Sequence, residues 1–192
     1  MLKIDAPSLR PTETHRRVAV MESALTTFAR YGYRKTSMDE VAKAAQISRP
    51  GLYFLFSSKE ELFRAAVSHA LQSDIANVKK ILARNDRPIH DRLIDAFSCW
   101  VGRYIGPMAR DVASVIDENP DLLGEIVGVF PQRFAELIEG SLVSSGSLAD
   151  RELANALTQT MISLSVGLKY QVDDRQSYID RFSVALDFLL RR

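Results

Sequence analysis

TSMDEVAKAAQISRPGLYFLFSSKEELF, residues 36–63, holds three helix starts in one short stretch. Ser37 followed by Glu40 is a capping box. The hydroxyl accepts from one unpaired helix N–H and the carboxylate reaches back to another, so a helix begins here. Val41, Ala44 and Ala45 give it a narrow stripe of small apolar residues, across which a neighbouring helix can pack closely and steeply. Gln46-Ile47 breaks the pattern. Ser48 is the next N-cap, and Pro50 is tolerated because first-turn N–H groups have no intrahelical acceptor. This helix is short, ending at about Phe54 or Phe56. Ser58-Lys59-Glu60-Glu61 is a second capping box and opens a helix with Leu62, Ala65, Ala66 and Ala70 on its inner face. The pattern is a helix-turn-helix whose second helix presents Arg49, Pro50, Gly51, Tyr53, Phe54 and Leu55. Leu52 and Phe56, four apart on the opposite face, are predicted as core.

From Arg17 to Phe63 the chain resembles the DNA-binding domain of the tetracycline-repressor (TetR) family of bacterial transcriptional regulators. The residues that carry the resemblance are Ala24-Leu25, Phe28-Ala29, Gly32-Tyr33, Thr36-Ser37, Val41-Ala42, Ala44-Ala45, Ile47-Ser48, Leu52-Tyr53, Phe56, Ser58-Lys59-Glu60 and Leu62-Phe63. Beyond Phe63 only length and helical pattern agree. The resemblance implies an all-α protein: a three-helix DNA-binding domain, then a helical domain that binds an effector and dimerises. It also implies that Tyr53 and Lys59 contact phosphate. Two departures from the family pattern matter. Gln46 replaces the glycine common in the turn, so that position either avoids positive φ or accepts strain. Gly51 and Leu55 stand where relatives often carry hydrogen-bonding side chains. Arg49 is then the one residue on this helix able to contact guanine bidentately, worth about 1–3 kcal/mol of discrimination, with Pro50 and Phe54 packing on thymine methyls. Arg34 and Lys35, with Thr36, Ser37 and Ser48, lie near helix starts whose partial positive charge attracts phosphate.

The 192 residues are 46% apolar, enough to bury one sizeable core, or one core and a small satellite. MLKIDAPSLRPTETHRR at the N-terminus lacks the apolar segment of a secretory signal, and no apolar run approaches the roughly 18 residues of a membrane span, so a cytoplasmic protein is expected. Cys99 is alone, which suits a buried small hydrophobe better than a redox sensor. The net charge of +1 is uneven. Residues 1–60 hold ten Lys or Arg against six Asp or Glu, and the excess of negative charge falls in the remainder. The basic end coincides with the helix-turn-helix, as phosphate contact requires.

Residues 1–13, with Pro7 and Pro11, read as a flexible arm in which Arg10, together with Arg16 and Arg17 just beyond, can reach a DNA backbone or simply fray. Residues 14–60 form the DNA-binding domain, its first helix running from about Thr14 to Tyr31 and stopping at Gly32. Residues 61–192 form the second domain. The helix begun at Ser58 is expected to reach about Arg84, followed by a loop over residues 85–88 and a broad apolar stripe through Trp100, Tyr104 and Ile105. A helix from about Met108 to Glu118 follows, then a long one from Leu122 to Val143 that Pro131 should kink or restart. In the family such helices surround a small-molecule cavity. Trp100, Tyr104, Met108, Phe130, Phe134 and Met161 are candidate walls and Arg103 or Arg110 a candidate anchor, although an aromatic stripe at helical spacing is more often plain core. The last two helices carry Leu153, Leu157, Met161, Leu164 and Leu168, then Phe182, Leu186 and Leu189. The resemblance assigns them to a dimer interface.

His15, His69 and His90 lack metal-ligand spacing, and no nucleotide loop or nucleophile elbow occurs, so neither an enzyme nor a cofactor is expected. The favoured reading is a homodimeric, ligand-responsive repressor of a palindromic double-stranded operator, its effector apolar or amphipathic. A DNA-architectural or protein-interaction factor on the same scaffold is the alternative, kept open by the scarcity of polar base readers.

Overall fold

The computed structural model describes residues 11–102, 105, 120–146, 148 and 150–190, and among these all regular structure is helical. The chain divides into two compact units, Met1–His69 and Ala70–Arg192.

In the first unit, α1 (Pro11–Tyr31) begins three residues earlier than the sequence suggested, because Pro11 is well suited to a first helical position. It stops at Gly32, whose φ of +79° is the left-handed conformation that ends helices. α2 (Met38–Ala44) and α3 (Arg49–Leu55) follow, and α4 (Lys59–Leu82) starts in this unit. Phe28 of α1, Tyr33 of the connecting loop and Phe63 of α4 form an aromatic cluster, Phe28 meeting Phe63 edge-on at 5.2 Å between ring centres. In the same unit Val20, Ala24, Val41, Leu52, Phe56 and Leu62 are all fully buried. The start of α4 differs slightly from a simple capping box. Ser58 Oγ accepts from Glu61 N at 3.0 Å, but the Glu61 carboxylate reaches one residue further back and accepts from Ser57 N at 2.8 Å.

The second unit contains the rest of α4, then α5 (Ile89–Val101), α6 (Pro120–Leu123), α7 (Ile126–Ser144), α8 (Arg151–Lys169) and α9 (Arg175–Leu190). Buried Arg92 joins α4 to α5 by donating to Leu82 O at 2.7 Å and Asn85 Oδ1 at 3.0 Å, satisfying a carbonyl that the end of α4 leaves open. Pro131 does not restart its helix. The break falls at Gly124, where φ is +54°, and α7 runs through Pro131 because that segment is exposed and water can take the carbonyl the proline leaves unpaired. The helix expected from about Met108 to Glu118 lies outside the described residues. Among the described residues no helix is long and apolar enough to cross a membrane.

Candidate nucleic-acid interface

The helix-turn-helix is built by its caps. Ser37 Oγ accepts from Glu40 N at 3.2 Å while Glu40 Oε2 accepts from Ser37 N at 2.7 Å, the reciprocal pair the sequence called for. These bonds, the backbone one foremost, hold the Glu40 carboxyl below its ordinary range. α2 ends in a two-bond motif, Ile47 N donating to Ala42 O at 3.0 Å and Gln46 N to Lys43 O at 3.1 Å. That geometry requires a left-handed residue between them, and Gln46 supplies it at φ +54°. The turn therefore keeps its shape without glycine and carries strain instead. Ser48 then caps α3, its Oγ accepting from Gly51 N at 3.2 Å, and Pro50 fits the first turn.

These starts set the face that α3 shows. Leu52, Leu55 and Phe56 turn inward, while Arg49, Pro50, Tyr53 and Phe54 turn outward and Gly51 lies at the margin. Phe54 is 78% exposed, an unusual position for a phenylalanine that contributes nothing to its own core. Arg34, Lys35, Ser37 and Ser48 are also exposed, so with Arg49 and Tyr53 six of these outward residues carry hydroxyl or cationic groups.

Three sequence-predicted contacts are corrected by burial and bonding. Leu55 is only 7% exposed and packs into the unit's own core, being three residues from Leu52 on the inner face, so it cannot touch bases. Thr36 is buried and its hydroxyl donates to Gly32 O at 2.8 Å, closing the α1–α2 loop. Arg17 does not reach outward. Its guanidinium bonds Leu55 O, stacks 4.0 Å over the Phe56 ring and lies 3.5 Å from Glu61, clamping α1 to the end of α3 and the start of α4. Lys59 is partly engaged as well: Nζ donates to Tyr33 O at 3.0 Å and Thr36 O at 3.1 Å, 4.5 Å from the Tyr33 ring centre. Two of its three N–H donors are thus used within the fold, and one remains for a phosphate.

The outward face is also more acidic than the sequence reading allowed. Asp39, in the first turn of α2, lies 3.2 Å from Arg49, a contact between adjacent helices that ten residues of separation conceal in the sequence. Arg16, exposed on α1, extends to the margin of α3 at Gly51.

In the second unit the aromatic candidates are largely core. Phe134 stacks on half-buried Trp100 at 4.9 Å with planes 9° apart and meets Phe97 edge-on, while Phe97 packs on Phe182 and Phe182 on Tyr178. Phe134 and Met161 are fully buried and Phe130 nearly so, which removes them as the walls of an open cavity. Arg103, Tyr104, Met108 and Arg110 lie outside the described residues. The proposed dimer stripe is likewise corrected. Met161, Leu168, Phe182 and Leu186 belong to the unit's own core, Leu157, Leu164 and Leu189 are half-buried against it, and only Leu153 is well exposed. The inner stripe of α8 was hidden by its polar members. Thr158 bonds its own helix at Ala154 O, and Ser165 bonds Tyr178 Oη at 2.7 Å, so both are satisfied in the core. Burial pushes the Tyr178 phenol far up, with the Ser165 bond opposing it.

Residues 20–66 match the family described as bacterial regulatory proteins, tetR family. The HTH-type transcriptional regulator YfiR of Bacillus subtilis is 35% identical over 143 residues, covering 65% of this chain and 64% of YfiR. RutR of Escherichia coli O157:H7 is 31% identical over 149 residues, covering 64% of this chain and 70% of RutR. The chain thus spans just under two thirds of the first relative, and 24% and 25% of two other Bacillus subtilis regulators, YuxN and YhgD. Among solved structures, a TetR-family transcriptional regulator from Mesorhizobium loti superposes with a TM-score of 0.72 at 15% identity, covering 92% of this chain and 96% of that one. With its capped helix pair, its outward α3 face and these relatives, the chain belongs to the tetR family of bacterial regulatory proteins, transcriptional regulators with a helix-turn-helix.

Proposed function

We propose that the protein is a cytoplasmic repressor that binds a palindromic double-stranded operator as a homodimer and releases it when a small effector binds. Residues 14–60 read the DNA, and residues 61–192 dimerise and take the effector. The outward face of α3 carries this reading: a cation at Arg49, a hydroxyl at Tyr53 and an apolar projection at Phe54, all on a helix whose inner face is locked into a core. Arg49 reads guanine, Phe54 and Pro50 pack on thymine methyls, and Tyr53, Arg34, Lys35 and the remaining Lys59 donor hold phosphates. One such helix reads few bases, and a two-fold dimer doubles the site, with half-sites about 34–36 Å apart.

Support for a dimer comes from residues the core does not use. Leu153 and Val166 on α8, and Val184 and Phe188 on α9, are exposed apolar residues on the two C-terminal helices. The effector site is assigned to Trp100 together with Arg103, Tyr104 and Met108, which follow it in the sequence. Release requires the effector to prefer the conformation that fits DNA poorly, since equal affinity for both shifts nothing.

Selection of the full-length protein on a random duplex library tests this, followed by fluorescence anisotropy on the winning duplex and a scrambled one. An enriched inverted repeat is expected. Replacing Arg34 and Lys35 together by alanine should weaken both duplexes alike and reduce the salt slope by about two, whereas Phe54→Ala should reduce only the preference for the selected site. Recovery of no motif would support the architectural alternative.

A further inference from the structure

Arg49 opens α3 and Asp39 stands in the first turn of α2. Arg49 Nη1 donates to Asp39 Oδ2 at 3.2 Å, and the guanidinium carbon lies 5.7 Å from the centre of the Tyr53 ring. A charged head on a flexible stem, 63% exposed, is thereby held from two sides: by a carboxylate on the neighbouring helix and by an aromatic ring one turn along its own. Because both partners stand largely in water, the pair adds little to folding. What it changes is orientation.

We infer that Asp39 is a positioning residue for base recognition, its carboxylate fixing the Arg49 guanidinium so that the Nε–Nη2 edge faces the base. The inference rests on the reading of Arg49 as a guanine contact given above. A guanidinium carries five N–H donors in one plane, and bidentate contact with guanine O6 and N7 uses two parallel ones. The bond to Asp39 is made through Nη1, which lies off the Nε–Nη2 edge, so pairing with Asp39 and reading a guanine are compatible in one conformation. Asp39 does not read the base itself. Its Oδ2 faces Arg49, and its Oδ1 is shielded from solvent and accepts no hydrogen bond. Holding the long Arg49 side chain in the free protein removes part of the ordering cost that binding would otherwise carry. A wrong base then meets a fixed fork instead of one free to swing to another acceptor.

The two effects of removing Asp39 have opposite signs, which makes the role testable. Loss of a negative charge on a DNA-facing surface strengthens binding to any duplex. Loss of a positioning contact weakens the preference for guanine. A contact that merely supports the fold would weaken binding to every duplex alike.

The test uses the full-length protein and three probes: the duplex it selects from a random library, that duplex with 7-deazaguanine or adenine replacing each enriched guanine in turn, and a scrambled duplex. Arg49→Ala is expected to abolish guanine preference at one position of each half-site. Asp39→Ala should lower that same preference about three- to tenfold, a part of what a bidentate pair supplies, while affinity for the scrambled duplex holds or rises. In the Arg49→Ala background, Asp39→Ala should change the preference no further. Asp39→Asn, which keeps an acceptor in place without the charge, should lose less than Asp39→Ala at an unchanged melting temperature. The inference is overturned if Asp39→Ala leaves intact a preference that Arg49→Ala removes, or if it weakens selected and scrambled duplexes equally. If Arg49→Ala leaves every guanine preference unchanged, or no guanine is enriched, the reading of Arg49 fails and the inference with it, a result distinct from the first two.

Discussion

At the scale of single residues, Gln46 bears a backbone cost that its side chain does not repay. Its φ of +54° puts Cβ against the following carbonyl, and only glycine takes that conformation freely. Gln46→Gly should stabilise the protein by up to about 1 kcal/mol, since relief of strain outweighs the extra chain entropy of the unfolded state, and Gln46→Ile should destabilise it. Urea denaturation of the three proteins checks this, with equal m-values expected. Glu61 makes a pH prediction of known sign. Hydrogen bonds from Ser57, side chain and then backbone, together with Arg17, make its carboxyl more acidic folded than its ordinary value of 4.5. The stability it adds is therefore complete above the unfolded-state value and is lost as pH falls through the lower folded value. Melting temperatures taken between pH 7 and 3 should decline in the acid range, and Glu61→Gln should lower stability at pH 7 while flattening that decline.

At the scale of elements, α3 depends on its first turn more than on its length. α3 is Arg49–Leu55, too short to persist alone in water, and its stability comes from the Ser48 cap, the Schellman-type end of α2 and burial of Leu52 and Leu55. Ser48→Ala should cost about 1 kcal/mol and weaken binding to selected and scrambled duplexes together, because it loosens the whole face and not one contact. Ser48→Asp or Ser48→Asn, which also cap, should restore the stability; thermal melts and anisotropy read the two effects separately. α7 shows the converse case. A proline within it is accommodated where solvent reaches the backbone, while the break goes to Gly124, the residue for which a left-handed turn is least costly.

At the scale of the whole molecule, the packing of α8 and α9 separates residues that build a subunit from those available to join two. Phe182 lies fully buried among Phe97, Tyr178 and their neighbours, so Phe182→Ala should cost about 3–5 kcal/mol in urea denaturation. Val166 and Val184 are 49% and 57% exposed, and aspartate at both should leave the circular dichroism spectrum unchanged. Sedimentation should then show a monomer for the variant and a dimer for the wild type, and binding to the selected inverted repeat should fall towards that of a scrambled duplex. A dimer that survives both aspartates would place the interface elsewhere.

The helix starts of the first unit were legible because caps are local: Ser37 with Glu40, and Ser48 with Gly51, lie three residues apart, and their bonds follow from chemistry and spacing alone. The inward turn of Leu52 and Phe56 was legible for the same reason. What spacing could not reveal was which of two apolar stripes on one helix meets a neighbour. α8 has Leu153, Leu157 and Leu164 one position from Ala154, Thr158, Met161, Ser165 and Leu168. The buried stripe is the one containing two hydroxyls, because Tyr178, thirteen residues on from Ser165, completes a hydrogen bond there. Leu55 and Arg17 were misjudged on the same principle, since Leu55 is buried and the Arg17 guanidinium is taken up by Leu55 O, Phe56 and Glu61. The pairing of Asp39 with Arg49 depends on it as well. Local bonds are written in the order of residues, whereas burial and long-range pairing depend on which helices come to lie side by side.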